Sequence, residues 1–168
     1  MKKERMHRIA LLALAALLVA LWAGSAACAD KIAAPSGPSL YERVGGVNNI
    51  AVLIDDVIER SYVDEVFKAN PQIEEAHKRY PKAAYKYNAT ALACMVMGGP
   101  QKYTGRSLKD AHQHLQVTET EWRKLIKIFR ESMNSFKVPM KEQNEILGII
   151  ESTKGDVVVS PAKSAANR

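Results

Sequence analysis

Residues 98–112 read GGPQKYTGRSLKDAH, and the fold can be worked outward from this stretch. Gly98-Gly99-Pro100 ends a helix, because glycine takes the left-handed backbone of a helix terminus and proline cannot continue one. Ser107 then offers a hydroxyl three residues before Asp110, the signal for a new, short helix. Residues three and four apart on a helix share a face, so Leu108, Ala111, His112 and Leu115 form one stripe. His114 points about 200° away from it. A histidine in an apolar stripe has two readings. The local pattern alone favours a core imidazole satisfied by a backbone carbonyl; the sharper reading is a neutral imidazole offered to a metal from an apolar wall.

The flanking helices follow from the same rules. Upstream, a helix over roughly 83–97 places Tyr85, Asn88, Ala89, Leu92 and Val96 on one face. This is a polar pair at one end of an apolar, small-residue surface where a flat ligand could lie; a plain packing face with a rim tyrosine explains it equally well. Downstream, Thr118-x-x-Glu121 caps a longer helix that aligns Trp122, Leu125, Phe129, Met133 and Phe136. After Val138-Pro139 a last helix presents Ile146, Leu147 and Ile150. Toward the N-terminus, Ser39-Leu40-Tyr41-Glu42 is a capping box whose helix closes at Gly45-Gly46. Ile50, Leu53, Ile54, Val57 and Ile58 stripe the next helix, and Pro71 and Pro81 bracket a short one at 72–79. Asp156-Val157-Val158-Val159 is the one strand-like run, and there is no internal repeat. The expectation is an all-α chain of four main helices and several short connectors.

Composition and the chain ends bound the function. The 168 residues leave room for one domain. Residues 1–29 have the order of a secretory signal peptide: a basic start (Lys2, Lys3, Arg5, Arg8), an apolar run from Ile9 to Ala23, then small residues up to Ala29. The apolar run is shorter than the ~20 residues a membrane-spanning helix needs. Cleavage before Asp30 leaves a soluble mature chain of 139 of the 168 residues, periplasmic or secreted. Ser25-Ala26-Ala27-Cys28 is also a weak lipobox, and only lipidation at Cys28 would tie the protein to a membrane. The leader holds four of the 24 Lys+Arg and one of the 18 Asp+Glu, so its loss takes the formal charge from +6 to +3. With both signs interspersed, that is no nucleic-acid footprint. Residues 30–38 and 160–168 are small, polar and proline-containing, and read as a flexible linker and tail around a domain at 39–159. Two cysteines exclude a disulfide scaffold or a multi-cysteine metal cluster, and without Cys28 the thiol of Cys94 stands alone.

Of the four histidines, His7 leaves with the leader. His77 sits among Glu74, Glu75, Lys78 and Arg79 and is expected to face water. His112 remains, with His114 as its solvent-side neighbour. The absence of Cys-x-x-Cys-His excludes covalent c-type haem, and a single histidine is a poor zinc site unaided. A neutral imidazole on an apolar wall does suit haem iron.

Three strings then carry a family resemblance: SLYERVGG at 39–46, GGPQKYTGR at 98–106 and SLKDAH at 107–112. In this order they resemble the opening helix and glycine turn, the Gly-Gly-Pro-x-x-Tyr-Thr-Gly loop and the proximal-histidine helix of the group 1 truncated haemoglobins. The similarity runs from Ser39 to about Val159. It implies a truncated globin, a two-on-two helical sandwich holding haem b (iron protoporphyrin IX), with His112 as the proximal iron ligand. It also implies haem contacts at Leu108, Val117, Trp122, Leu125, Phe129, Ile146 and Ile150, and a distal pocket formed by Ile58, Tyr85 and Ala89. Ile58 stands where many relatives have a hydrogen-bonding tyrosine, and Ala89 replaces a frequent glutamine. The distal pocket is therefore expected to be apolar unless Tyr85 turns its hydroxyl inward. The connection between Ile58 and Tyr85 is longer than in compact relatives, and Phe67 stands in for their usual Phe-Phe. The function implied is binding of oxygen, nitric oxide or carbon monoxide, carrier-like. Two other classes stay open: a haem-dependent nitric oxide dioxygenase or peroxidase-like enzyme served by a reductase, and a haem-free helical interaction protein.

Overall fold

Three helices begin where the sequence sets a hydroxyl three residues ahead of a carboxylate, at Ser39, Ser107 and Thr118. The structure, a computed structural model, describes residues 37–159; the leader with Cys28, residues 30–36 of the linker and the tail at 160–168 lie outside it. In chain order the helices are α1 (Leu40–Arg43), α2 (Gly46–Val63), α3 (Glu65–Lys68), α4 (Pro71–Arg79), α5 (Lys82–Val96), α6 (Leu108–His112), α7 (Glu119–Ser135), α8 (Met140–Ser152) and α9 (Lys154–Val157). Both capping boxes form, at Ser39/Glu42 and Thr118/Glu121. Asn70 caps α4 by accepting from the amides of Gln72 and Ile73, and Pro71 fits the first turn, where an N–H has no helical partner.

Helix α2 is the central element. It packs on α5 and on α7, and α7 packs on α8 and α3. The pairs α2–α5 and α7–α8 make the two-on-two helical arrangement. The expected stripe of α2 is buried throughout: Ile50, Leu53, Ile54, Val57 and Ile58. It meets Trp122, Ile128 and Met133 of α7, Ile146 and Leu147 of α8, and Cys94 of α5 in one apolar cluster. Each such side chain contributes about 1.5–3 kcal/mol by leaving water. The free thiol of Cys94 is wholly buried in that cluster. Arg43 ties α1 to α8 through ion pairs with Glu142, at 3.0 Å, and Glu145.

Three expectations need correction. Phe136 does not join the buried face of α7; it is 44% exposed, and Ile128 takes its place in the core. The helix stops at Ser135, Lys137 adopts φ +54°, and the chain turns back so that the Val138 amide donates to the Met133 carbonyl. The run at 156–159 is not a strand: α9 continues through Val157, and Val158 then forms a single parallel bridge with Val117. So short a run has no neighbour with which to extend a ladder. The connection after Ile58 is also more ordered than its prolines suggest. It adds α3, capped by Asp64, and buries Phe67 and Ile73. The Asn70 amide donates to the Leu115 carbonyl at 3.0 Å and so anchors this connection beside the segment that follows His112.

The glycine motifs make seats for a tyrosine. Gly98 adopts φ +86°, and at Gly99 a Cβ would meet the Tyr41 ring at 2.5 Å. The Tyr41 amide donates to the Met97 carbonyl, which fixes α1 against the end of α5. Gly99→Ala is therefore expected to cost about 1–3 kcal/mol by overpacking, measured by denaturant unfolding of the mature domain.

Candidate functional site

His112 is the last residue of α6, and its ring is held from within that helix. Ring nitrogen Nδ1 lies 2.7 Å from the Leu108 carbonyl oxygen. A carbonyl only accepts, so Nδ1 carries the proton and donates, leaving the lone pair on Nε2. Burial holds the imidazole pKa below its ordinary value, the Leu108 carbonyl works against this, and His114 nearby lowers it further. At neutral pH the ring is uncharged, with one nitrogen free to coordinate. Ser107 caps the helix by accepting from the Asp110 amide, as the sequence predicts, and His114 is exposed.

The protein does not finish covering the wall on which this imidazole stands. Helix α6 has no fully buried residue; Leu108, Ala111 and His112 are half-buried, as is Leu115 just beyond. The same half-buried state recurs at Ala89 and Leu92 of α5, Leu125 and Phe129 of α7, and Ile150 of α8. Ala89, Leu125, Phe129 and Ile150 pack against the core cluster with their remaining surface open. Among the expected contacts, Val117, Trp122 and Ile146 are instead fully buried, and the Trp122 indole donates to Glu151. These three belong to the core cluster. One neutral nitrogen donor amid apolar surface, with no group of three His, Cys, Asp or Glu side chains to cage a metal among the described residues, suits a flat apolar ligand carrying its own metal. Haem fits that donor set. A cavity of about 370 Å³ lies elsewhere, between Arg43, Leu53, Met97 and Val138; of the candidate residues it includes Ile146 alone.

Of the residues expected on the distal side, Ile58 is buried at 4% exposure and Ala89 offers only a methyl group. Tyr85 is 40% exposed, yet burial raises its hydroxyl above the ordinary tyrosine pKa, and Tyr62 raises it further. Asn88, its polar partner in the sequence pattern, is engaged with the Tyr80 hydroxyl at 3.1 Å.

The residue that sequence reasoning missed is Tyr62, one helical turn beyond Ile58. His77 does not face water but stacks on the Tyr62 ring, centroids 3.7 Å apart and planes 10° from parallel. Lys82 Nζ sits 4.4 Å from the same ring centroid. Lys82 and Lys86 also pair with Glu59 of α2, and Lys86 with Asp55. The start of α5, where Tyr85 lies, is thus fastened to α2 and α4. The Ile58–Tyr62 spacing of four was the available signal; the charges around His77 hid it.

A family model described as bacterial-like globin matches residues 39–159. The chain belongs to the bacterial-like globin family. This globin is similar to a group 1 truncated hemoglobin of Mycolicibacterium paratuberculosis, 23% identical over 74% of this chain and 87% of that protein. It is also similar to one of Tetrahymena pyriformis, 21% identical over 71% and 94%. These relatives place it with the group 1 truncated globins. Among solved structures, the Fe(III) truncated hemoglobin of Tetrahymena pyriformis shares the fold with a TM-score of 0.64 at 20% identity, covering 73% of this chain and 100% of that one. A 2/2 hemoglobin of Synechococcus gives a TM-score of 0.63 at 20% identity, covering 72% and 98%. Family membership supports haem-based gas binding.

Burial also lowers the His77 pKa, with Glu74 opposing and Lys82 reinforcing the shift. A histidine depressed in the folded state binds protons more readily once unfolded, so its contribution is present above the unfolded value and lost as pH falls. His77 and His112 act in the same direction. The haem-free domain is expected to lose stability as pH drops below about 6.5, and His77→Phe, which keeps a ring on Tyr62, should flatten that slope in urea unfolding measured at successive pH values.

Proposed function

We propose that this globin is an exported haem b protein that binds a diatomic gas, and that His112 Nε2 would hold its iron. The observation that supports it most is the 2.7 Å Nδ1–Leu108 contact on a helix whose apolar side is left half-covered. When bound, haem would supply an iron able to bind oxygen, nitric oxide or carbon monoxide. The Leu108 carbonyl fixes the histidine tautomer and raises the basicity of Nε2. Leu108, Leu125, Phe129 and Ile150 supply the walls and exclude water, with Val117, Trp122 and Ile146 behind them. Ile58 and Ala89 give the distal side no hydrogen-bond donor, and of the three residues expected there Tyr85 alone carries a hydroxyl.

The direct test is reconstitution with haem. The mature chain should develop a Soret band that His112→Ala abolishes and added imidazole restores; an unchanged band in the variant would contradict the assignment.

Ligand release tests the distal side. Dioxygen gains most from a distal donor, so oxygen should leave quickly while carbon monoxide and nitric oxide are relatively favoured. Installing a donor with Ile58→Tyr should slow oxygen release in stopped-flow by about 10- to 100-fold, since a hydrogen bond to a charged group contributes roughly 1.5–3 kcal/mol. Release from the natural protein that is already slow, and accelerated by Tyr85→Phe, would assign the donor role to Tyr85.

Export is read from residues 1–29. The exported chain should begin at Asp30 when its intact mass is measured; a lipid-modified Cys28 terminus in the membrane fraction would replace this with an anchored form.

A further inference from the structure

Helix α6 carries His112, yet none of its residues is fully buried and it packs chiefly on the four-residue α9. Its position must therefore also be set by the loop that leads into it. In that loop Tyr103 folds back on the chain: its hydroxyl donates to the Arg106 carbonyl at 2.7 Å. The ring lies so close to Gly105 that a Cβ there would sit 2.4 Å from the hydroxyl oxygen and 2.5 Å from Cζ. Gly105 is not among the glycines with positive φ, so space and not backbone freedom demands it. The Arg106 carbonyl belongs to the peptide that leads directly into Ser107, the N-cap of α6. From there the order is continuous. The Ser107 hydroxyl accepts from Asp110 N, the Ser107 carbonyl accepts from Ala111 N at 2.9 Å, and the Leu108 carbonyl accepts from His112 Nδ1.

We infer that Tyr103 is a positioning residue for His112: seated on Gly105, it locks the Arg106–Ser107 peptide and so fixes the start of α6 and the direction of the imidazole. A loop without regular structure holds a helix end in one place only if its peptides are tied down, and this tie is the last one before the cap. The consequence for iron rests on the haem reading; the consequence for α6 does not.

Two variants separate the parts of the device. Tyr103→Phe keeps the ring over Gly105 and removes the hydroxyl, whereas Gly105→Ala keeps the hydroxyl and denies the ring its seat. In the haem-free mature chain, both should speed amide hydrogen exchange at Ala111 and Gln113 by 10-fold or more relative to α2 and α7. Exchange unchanged at Ala111 and Gln113, or raised equally in α2 and α7, would overturn the inference. In the haem-loaded chain both should shift or broaden the ferrous iron–histidine stretching band and speed haem loss to an excess of a haem-scavenging apoglobin severalfold. A band identical to the natural protein's, alongside faster exchange, would sever Tyr103 from His112. Should the natural chain take up no haem at all, the haem reading fails by itself and the exchange measurement alone decides the role of Tyr103.

Discussion

A five-residue helix cannot bury its own apolar side, and the arrangement around His112 depends on that constraint. Helix α6 is long enough to close one hydrogen bond from Nδ1 back to the Leu108 carbonyl, and so to present a neutral imidazole. It is too short to cover Leu108, Ala111 and Leu115, which stay half-buried. The half-open side chains on α5, α7 and α8 are the other side of the same fact. Covering these surfaces with a planar apolar cofactor would bring a marginal core of this size closer to completion.

The rest of the molecule is organised to keep those walls apart and in register. Helix α2 packs on α5 and α7 through a fully buried stripe, so the two sides are set by one rigid element. The start of α5 is fastened a second time, by Lys82 and Lys86 to Glu59 and by the Tyr62 ring with His77 and Lys82 against it. Around His112 the fastenings are lighter: the segment is held by one hydrogen bond before α6, the Tyr103–Arg106 contact, and by the Asn70–Leu115 bond and the Val117–Val158 bridge after it.

Much of this was legible in the residues, for physical reasons that differ by element. Both capping boxes and the α2 stripe were readable because local hydrogen bonding and a 3.6-residue period act within a few positions of the chain. The imidazole–carbonyl contact at His112 was open to the same local reading, since donor and acceptor lie one turn apart. Phe136 was misplaced because periodicity does not say where a helix stops, and the left-handed Lys137 ends that face early. His77 was misread because neighbouring charges describe only its own helix, while its stacking partner Tyr62 comes from α2. The role of Gly105 as the seat of Tyr103 is a contact in space that spacing alone does not display.

The central claim is that the half-covered walls around His112 are a core completed by haem. It is tested most directly by the heat-unfolding midpoint of the mature chain with and without haem, beside His112→Ala. At a free concentration 100 times the dissociation constant, a ligand bound only by the folded state adds about 2.7 kcal/mol. For a domain of this size that is an upward shift of roughly 10 °C. The account predicts such a shift for the natural chain and a much smaller one for His112→Ala. An equal shift in both, or none in either, would contradict it.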